Sequence, residues 1–230
     1  IGNNKYKLVK NQILKKYMVE QSLEAKSNRE IKVAILSHSN IENLKNSLSN
    51  HVCELIPERR FTFYTCDYGQ IYKDIIERNS ELNKFQPEIT IFSSRLEDIC
   101  LIEKQDKNLF FINNYISQIK NFYNSNSGWT IVFRFFCSLK TASSTENFKR
   151  IKMVSEFNKL LEEGLKDLDQ IIWLDLPSES LHSREVFDMR LWYTSKIPFS
   201  NIFCEQLSKI ITSYLISILE KSIRAIVLDL

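Results

Sequence analysis

The chain has 230 residues, of which 43% are hydrophobic and 26% charged, and its net charge is +3. That length suits one large domain or one domain with an appendage, and so small a net charge gives no argument for a nucleic-acid partner. No apolar run approaches the ~18 residues that would argue for a membrane span, and no stretch reads as a secretory signal.

Residues 1–30 hold seven Lys or Arg against three acids. Tyr6, Val9, Ile13, Leu14 and Tyr17 fall at rough helical spacing, so this stretch reads as a basic, weakly amphipathic leader helix. It is either a solvated appendage or a docking surface for an acidic partner such as a carrier protein. The chain opens on Ile1 rather than Met, which leaves room for residues before it. Cys53, Cys66, Cys100, Cys137 and Cys204 are dispersed, with no CxxC and no Cys/His cluster. Several of them lie in apolar runs, which suits buried free thiols in a reducing cytoplasm.

The stretch Ile31 to Leu44, IKVAILSHSNIENL, reads as a buried strand, a polar turn and a helix start. Val33 to Leu36 form the apolar run, and Ile41, Leu44 and Leu48 follow at helical spacing. A hydroxyl on such a turn lies where open α/β sheets bind ligands, beside a helix terminus that favours negative charge. Ser39 is therefore the first candidate for chemistry. The plainer alternative is that Ser39 or Asn40 only caps the helix.

Arg60 to Cys66 (RFTFYTC) alternates as a second strand, followed by the turn Asp67–Gln70. Gly69, one of only four glycines, permits positive φ or a close backbone approach to a ligand there. Ile71 to Phe85 reads as one helix, and Glu88 to Ser93 as a third strand. Leu109, Ile112, Ile116, Ile119 and Phe122 mark the next helix. Trp129 to Cys137 is a strand apolar on both faces except for Arg134, as suits the middle of a covered sheet. A Ser/Thr-rich loop, 140–146, leads to a long helix from Phe148 to Leu168. Ile171 to Leu176 is a fifth strand closed by Pro177. An irregular stretch runs to Ser200, then a last helix carries Phe203, Leu207, Ile210, Tyr214 and Ile218. Ala225 to Leu230, AIVLDL, reads as a further strand. Strands alternating with helices call for a doubly wound parallel sheet with right-handed crossovers.

Three runs carry a family resemblance: LSHSNIENL (36–44), YGQIYKDIIERNSELNKFQPEI (68–89) and DMRLWYTSKIPFS (188–200). Together they resemble FkbH-like proteins over about residues 31–230. Those proteins join an SGNH-hydrolase-like domain to a haloacid dehalogenase-like phosphatase domain. The resemblance implies a three-layer α/β/α, flavodoxin-like domain over 31–222. It also implies that 223–230 is the first strand of a phosphatase-like domain cut short, its form being VLDLDNTLW. The implied function is to take a glyceryl unit from a bisphosphoglycerate and load it onto an acyl carrier protein, in polyketide or related biosynthesis in the cytoplasm. The domain in hand would give carrier docking or a pocket for a phosphorylated or acyl substrate.

By the same resemblance Ser39 falls on the SGNH nucleophile and Gly69 near the oxyanion-hole glycine, and Gly69 and Gln70 are taken as substrate-binding. Asp188 falls on the last block and is taken as catalytic, and Arg190 and Lys196 are taken as substrate-binding. Asp229 is the phosphatase nucleophile and magnesium ligand, the ion belonging to that further domain. The chain departs from the pattern in three places. Ser37 and His38 replace glycines before the serine. The strand end FRFFCSL (133–139) lacks an oxyanion asparagine. Asp188 is followed by Leu191 where active SGNH hydrolases have the histidine of DxxH. A serine without a base is a poor nucleophile, although His38 and His182 are alternative bases. Asp188, Arg190, Trp192, Tyr193 and Lys196 are either a phosphate or acyl contact or a structural knot. The readings left open are a glyceryl-loading partner domain, a true esterase or acyltransferase using Ser39, and a noncatalytic scaffold.

Overall fold

A computed structural model describes residues 30–99, 105–136, 144–176 and 186–219. The leader, the Asp229 strand, Cys100, Cys137, His182 and most of the 140–146 loop lie outside the described residues. Five parallel strands form one sheet: β1 (Glu30–Leu36), β2 (Arg60–Thr65), β3 (Ile89–Phe92), β4 (Trp129–Phe133) and β5 (Ile171–Leu174), in the order β2-β1-β3-β4-β5. The expected α/β, flavodoxin-like class is thus the observed one.

The helices are α1 (Glu42–Leu55), α2 (Ile71–Ile76), α3 (Glu81–Phe85), α4 (Leu96–Ile99), α5 (Gln105–Ser125), α6 (Ser144–Leu165), α7 (Met189–Ser195) and α8 (Asn201–Leu219). Alternation along each strand divides the core into two layers. Ile31, Val33 and Ile35 join Ile89, Ile91, Ile131 and Phe133 beneath α1 and α8. Ala34, Leu36, Phe92 and Val132 face Ile71, Ile112, Ile119 and Leu161 on the opposite side. With both faces covered, the central strands are apolar throughout, which is why they read as continuous runs rather than as alternating ones.

The structure differs from the sequence reading in three elements. The single helix expected over 71–85 is two, α2 and α3, because Ser80 caps the second by accepting the Asn83 N–H at 3.1 Å. The long helix expected from Phe148 begins at Ser144, inside the expected loop. The irregular stretch before Ser200 contains α7, whose N-cap is Asp188.

Helix α8 is, by length and composition, apolar enough to cross a membrane, although no such run was expected. Its fully or nearly buried residues Phe203, Leu207, Ile211 and Leu215 sit in the core against α1 and the sheet, which accounts for the apolarity. Leu207 is completely buried, so Leu207→Ala removes packed surface and leaves a cavity. We expect a loss of about 2–5 kcal/mol in chemical unfolding. A loss below about 1 kcal/mol would show that α8 is not a core helix.

Candidate functional site

In a 2-1-3-4-5 sheet the chain leaves β1 and β3 toward opposite faces, opening a crevice at their carboxyl ends. Two loops meet there. Ser37–Asn40 follow β1, and Ser93–Asp98 follow β3 and run into α4. Ser37 fixes the first turn: its Oγ donates to the Ser93 carbonyl (3.2 Å) and accepts the Ser39 N–H (3.2 Å). Cys66, one position past β2, reinforces it. The Cys66 Sγ accepts the Ser37 N–H at 3.4 Å, and its thiol donates to the Ser37 carbonyl at 3.2 Å. Burial pushes the Cys66 thiol up to about 11, so it remains a neutral hydrogen-bonding group at neutral pH.

Ser39 is completely buried. Its hydroxyl donates to Oδ2 of Asp98. The same carboxylate is gripped by Arg95, with Nε at 3.0 Å from Oδ2 and Nη2 at 2.6 Å from Oδ1. Only 9% of the Arg95 side chain and 3% of the Asp98 side chain are exposed, so this is a buried two-pronged ion pair. The Arg95 guanidinium in turn lies 4.5 Å from the centre of the Trp192 ring, a stacking that satisfies its planar face. A chain of contacts therefore runs from Ser39 through Asp98 and Arg95 to α7.

The segment carrying α7 forms a strap over this crevice. Phe187 and Phe199 make an antiparallel bridge and stack with Phe136 at 6.1 and 6.2 Å. The strap is tied to the serine turn by the Asn40 N–H, which donates to the Lys196 carbonyl at 3.0 Å. Lys196 itself has a φ of 56° as the C-cap of α7, and its Nζ lies 5.2 Å from the Trp192 ring.

His38 points elsewhere. Its Nδ1 pairs with the Ser94 hydroxyl at 2.8 Å, and its ring packs 5.9 Å from Tyr115. Burial lowers its pKa, opposed by the nearby Asp98 charge.

The sequence-derived candidates divide as follows. Ser39 and Gly69 follow β1 and β2 at the same sheet edge, and Lys196 touches the serine turn. Gly69 is exposed, and a Cβ built on it would meet no atom within 4 Å. Its φ of 71° is what calls for glycine. Gln70 is exposed beside it and accepts the Asp74 N–H at 3.0 Å. Asp188 accepts the Arg190 N–H at 2.9 Å and pairs with its guanidinium at 3.1 Å. The Arg190 hydrogen bonds hold the Asp188 carboxyl below its ordinary range. The carboxylate beside Ser39 is Asp98, not Asp188. Of the two capping alternatives, Asn40 accepts the Glu42 N–H at 3.1 Å, while Ser39 is committed to Asp98.

Sequence reasoning passed over Ser94, Arg95 and Asp98. The strand beside β1 at the switch point is β3, so the loop that faces Ser39 is SSRLED (93–98). The end of β4 lies one strand further out. There the Phe135 N–H and carbonyl are clasped by the Asn158 side-chain amide at 2.8 and 2.9 Å. The readable signal was an Arg and an Asp three residues apart directly after an apolar strand. Among the described residues no group of three His, Cys, Asp or Glu could hold a metal ion.

Solved structures share this architecture. The N-terminal part of a Bacteroides fragilis protein, containing a phosphatase domain and complexed with Mg, aligns with a TM-score of 0.69 at 15% identity. The alignment covers 87% of this chain and 57% of that one, so the present chain spans little more than half of that structure. A Streptococcus pneumonia protein assigned as a platelet activating factor aligns at TM-score 0.52 and 11% identity, covering 94% of this chain and 100% of that one. A Bacteroides fragilis protein assigned as an acylhydrolase gives 0.51 and 11%, covering 82% and 88%. No family model matches the sequence, and no curated protein matches it. These likenesses establish the fold, a parallel α/β sheet flanked by helices, shared with those structures.

Two measurements test the site. Arg95→Ala leaves a buried carboxylate unpaired and should cost about 3–5 kcal/mol of stability, most of it recovered in the double variant Arg95→Met/Asp98→Leu. An Arg95→Ala loss under about 1 kcal/mol would mean that the pair is solvated.

The second concerns pH. A histidine whose folded pKa is depressed contributes stability in full above its unfolded value of about 6.5. That contribution is lost as the pH falls below this value toward the folded pKa. The unfolding free energy should therefore fall between pH 7.5 and pH 5 by less in His38→Gln than in the parent chain. Identical pH slopes would contradict the burial of a neutral His38.

Proposed function

We propose that this chain is the SGNH-like domain of an FkbH-like protein and that the domain does not itself hydrolyse esters. The observation that carries the second half is the state of Ser39. Its hydroxyl is buried and given to Asp98, and the neighbouring histidine is bonded to Ser94 instead. A serine nucleophile needs a base that can take its proton. Asp98 is poorly suited: protonating it would strand the buried Arg95 guanidinium without its counter-charge. The hydroxyl here acts as a donor that satisfies a structural carboxylate.

The first half is supported by the three resembling sequence runs and by likeness to a structure that contains a phosphatase domain. In this reading the phosphatase-like part, whose first strand is 223–230 with Asp229, carries the magnesium-dependent chemistry. The glyceryl unit passes from a bisphosphoglycerate to an acyl carrier protein in the cytoplasm. The present domain presents the strap with Arg190 and Lys196 to the carrier or to a phosphorylated substrate. A second reading, an esterase or acyltransferase using Ser39, draws on the contact between a serine and a carboxylate at the switch point.

A fluorophosphonate probe separates the two readings. We expect no labelling of the folded chain. Labelling that disappears in Ser39→Ala would establish the esterase. Acyl-carrier binding, weakened in Arg190→Ala and Lys196→Ala, supports the loading role. A chain that neither reacts with the probe nor binds a carrier protein is a scaffold.

A further inference from the structure

The outer helical layer, away from the serine turn, holds a hollow of about 400 Å³ between α2 and α5. Its size falls in the range of small-molecule sites, about 300–1,000 Å³. One wall is Tyr72, Ile75 and Ile76 on α2, and the other is Asn114, Gln118 and Asn121 on α5, with Ser117 beside them. Three features ask for an occupant.

First, Tyr72 is 58% and Ile76 50% exposed, although they sit on a helix of six residues whose other apolar members, Ile71 and Ile75, are in the core. Second, the Gln118 Oε1 is buried and makes no hydrogen bond, which is costly for an amide oxygen. Third, Asn114, Gln118 and Asn121 fall at i, i+4 and i+7, so their amides line one side of α5. A second hollow of about 440 Å³ continues past Ile76 toward Asn83, Ser125 and Arg78.

The lining of the first hollow carries no charge. That disfavours phosphates, carboxylates and cations, which need a charged partner to leave water. Side-chain amides offer donors and acceptors together. Their natural complement is a ligand whose groups also do both, namely hydroxyls. An exposed tyrosine ring and two isoleucines beside them suit the apolar face of a ring. We infer that this hollow binds a neutral saccharide, one pyranose ring lying against Tyr72 with its hydroxyls bonded to the amides of α5. This site stands apart from Ser39, and its failure would leave the reading of that residue unchanged.

Saturation-transfer NMR on the whole chain, with the methyl pyranosides of glucose, galactose, mannose and N-acetylglucosamine as probes, tests this. At least one should receive saturation, and its Kd should rise at least tenfold in Tyr72→Ala and in Gln118→Ala. Asn121→Ala, a change at an exposed position, should weaken binding while leaving the unfolding midpoint in place. This keeps the test clear of folding defects. Asn43→Ala, on α1, should bind as the parent does. No transfer to any of the four sugars would overturn the inference. So would transfer that is unchanged in both Tyr72→Ala and Asn121→Ala.

Discussion

The buried carboxylate of Asp98 is the group on which the strand-end architecture depends. An ionised carboxylate taken out of water must be paired and hydrogen-bonded on most of its lone pairs. Here Arg95 takes both oxygens and Ser39 takes one of them again. Arg95 needs support of its own, and Trp192 provides it from α7. Satisfying one charge thus recruits the loop after β1, the loop after β3 and the strap that crosses them. The aromatic stack of Phe136, Phe187 and Phe199 holds the strap in place from below.

This arrangement gives the switch point of this α/β fold a chemical character different from that of an acyl-transfer site. In an acyl-transfer site the serine hydroxyl is exposed to substrate and its proton has somewhere to go. In this chain the hydroxyl is enclosed, and its acceptor is already neutralised. The same position in the sheet therefore yields a rigid polar knot. Rigidity at a strand edge is useful in a domain that presents a surface, since a preorganised face loses less entropy when a partner docks. In the proposed reading the strap, with Arg190 90% exposed in its side chain and Tyr193 at 73%, is the face offered to a partner.

Much of the fold was legible because apolar runs and turn residues obey local rules. IKVAIL, EITIF and WTIVF could only be buried strands once helices of period 3.6 separated them. The break between α2 and α3 was harder to read, since the apolar set Ile71, Ile75, Leu82 and Phe85 runs through it. Only the Ser80 cap marks the stop. At the site, Ser39 was visible from its place after a strand. Asp98 was not, because its role depends on which strand lies next to β1, and strand order is a non-local property. Asp188 attracted notice through a sequence resemblance, yet it caps a short exposed helix, while the carboxylate that meets Ser39 arrives from 59 residues away.

The central claim, that Ser39 is a structural donor and not a nucleophile, is tested most directly by intact-protein mass spectrometry during exposure to p-nitrophenyl acetate. A serine that attacks the ester must carry the acetyl group at least transiently, and rapid acid quenching traps it. The account predicts an unmodified mass at Ser39 at every time point, in the parent chain and in Ser39→Ala alike. An acetyl adduct that forms within the first turnover, maps to Ser39 and is absent from Ser39→Ala would contradict it.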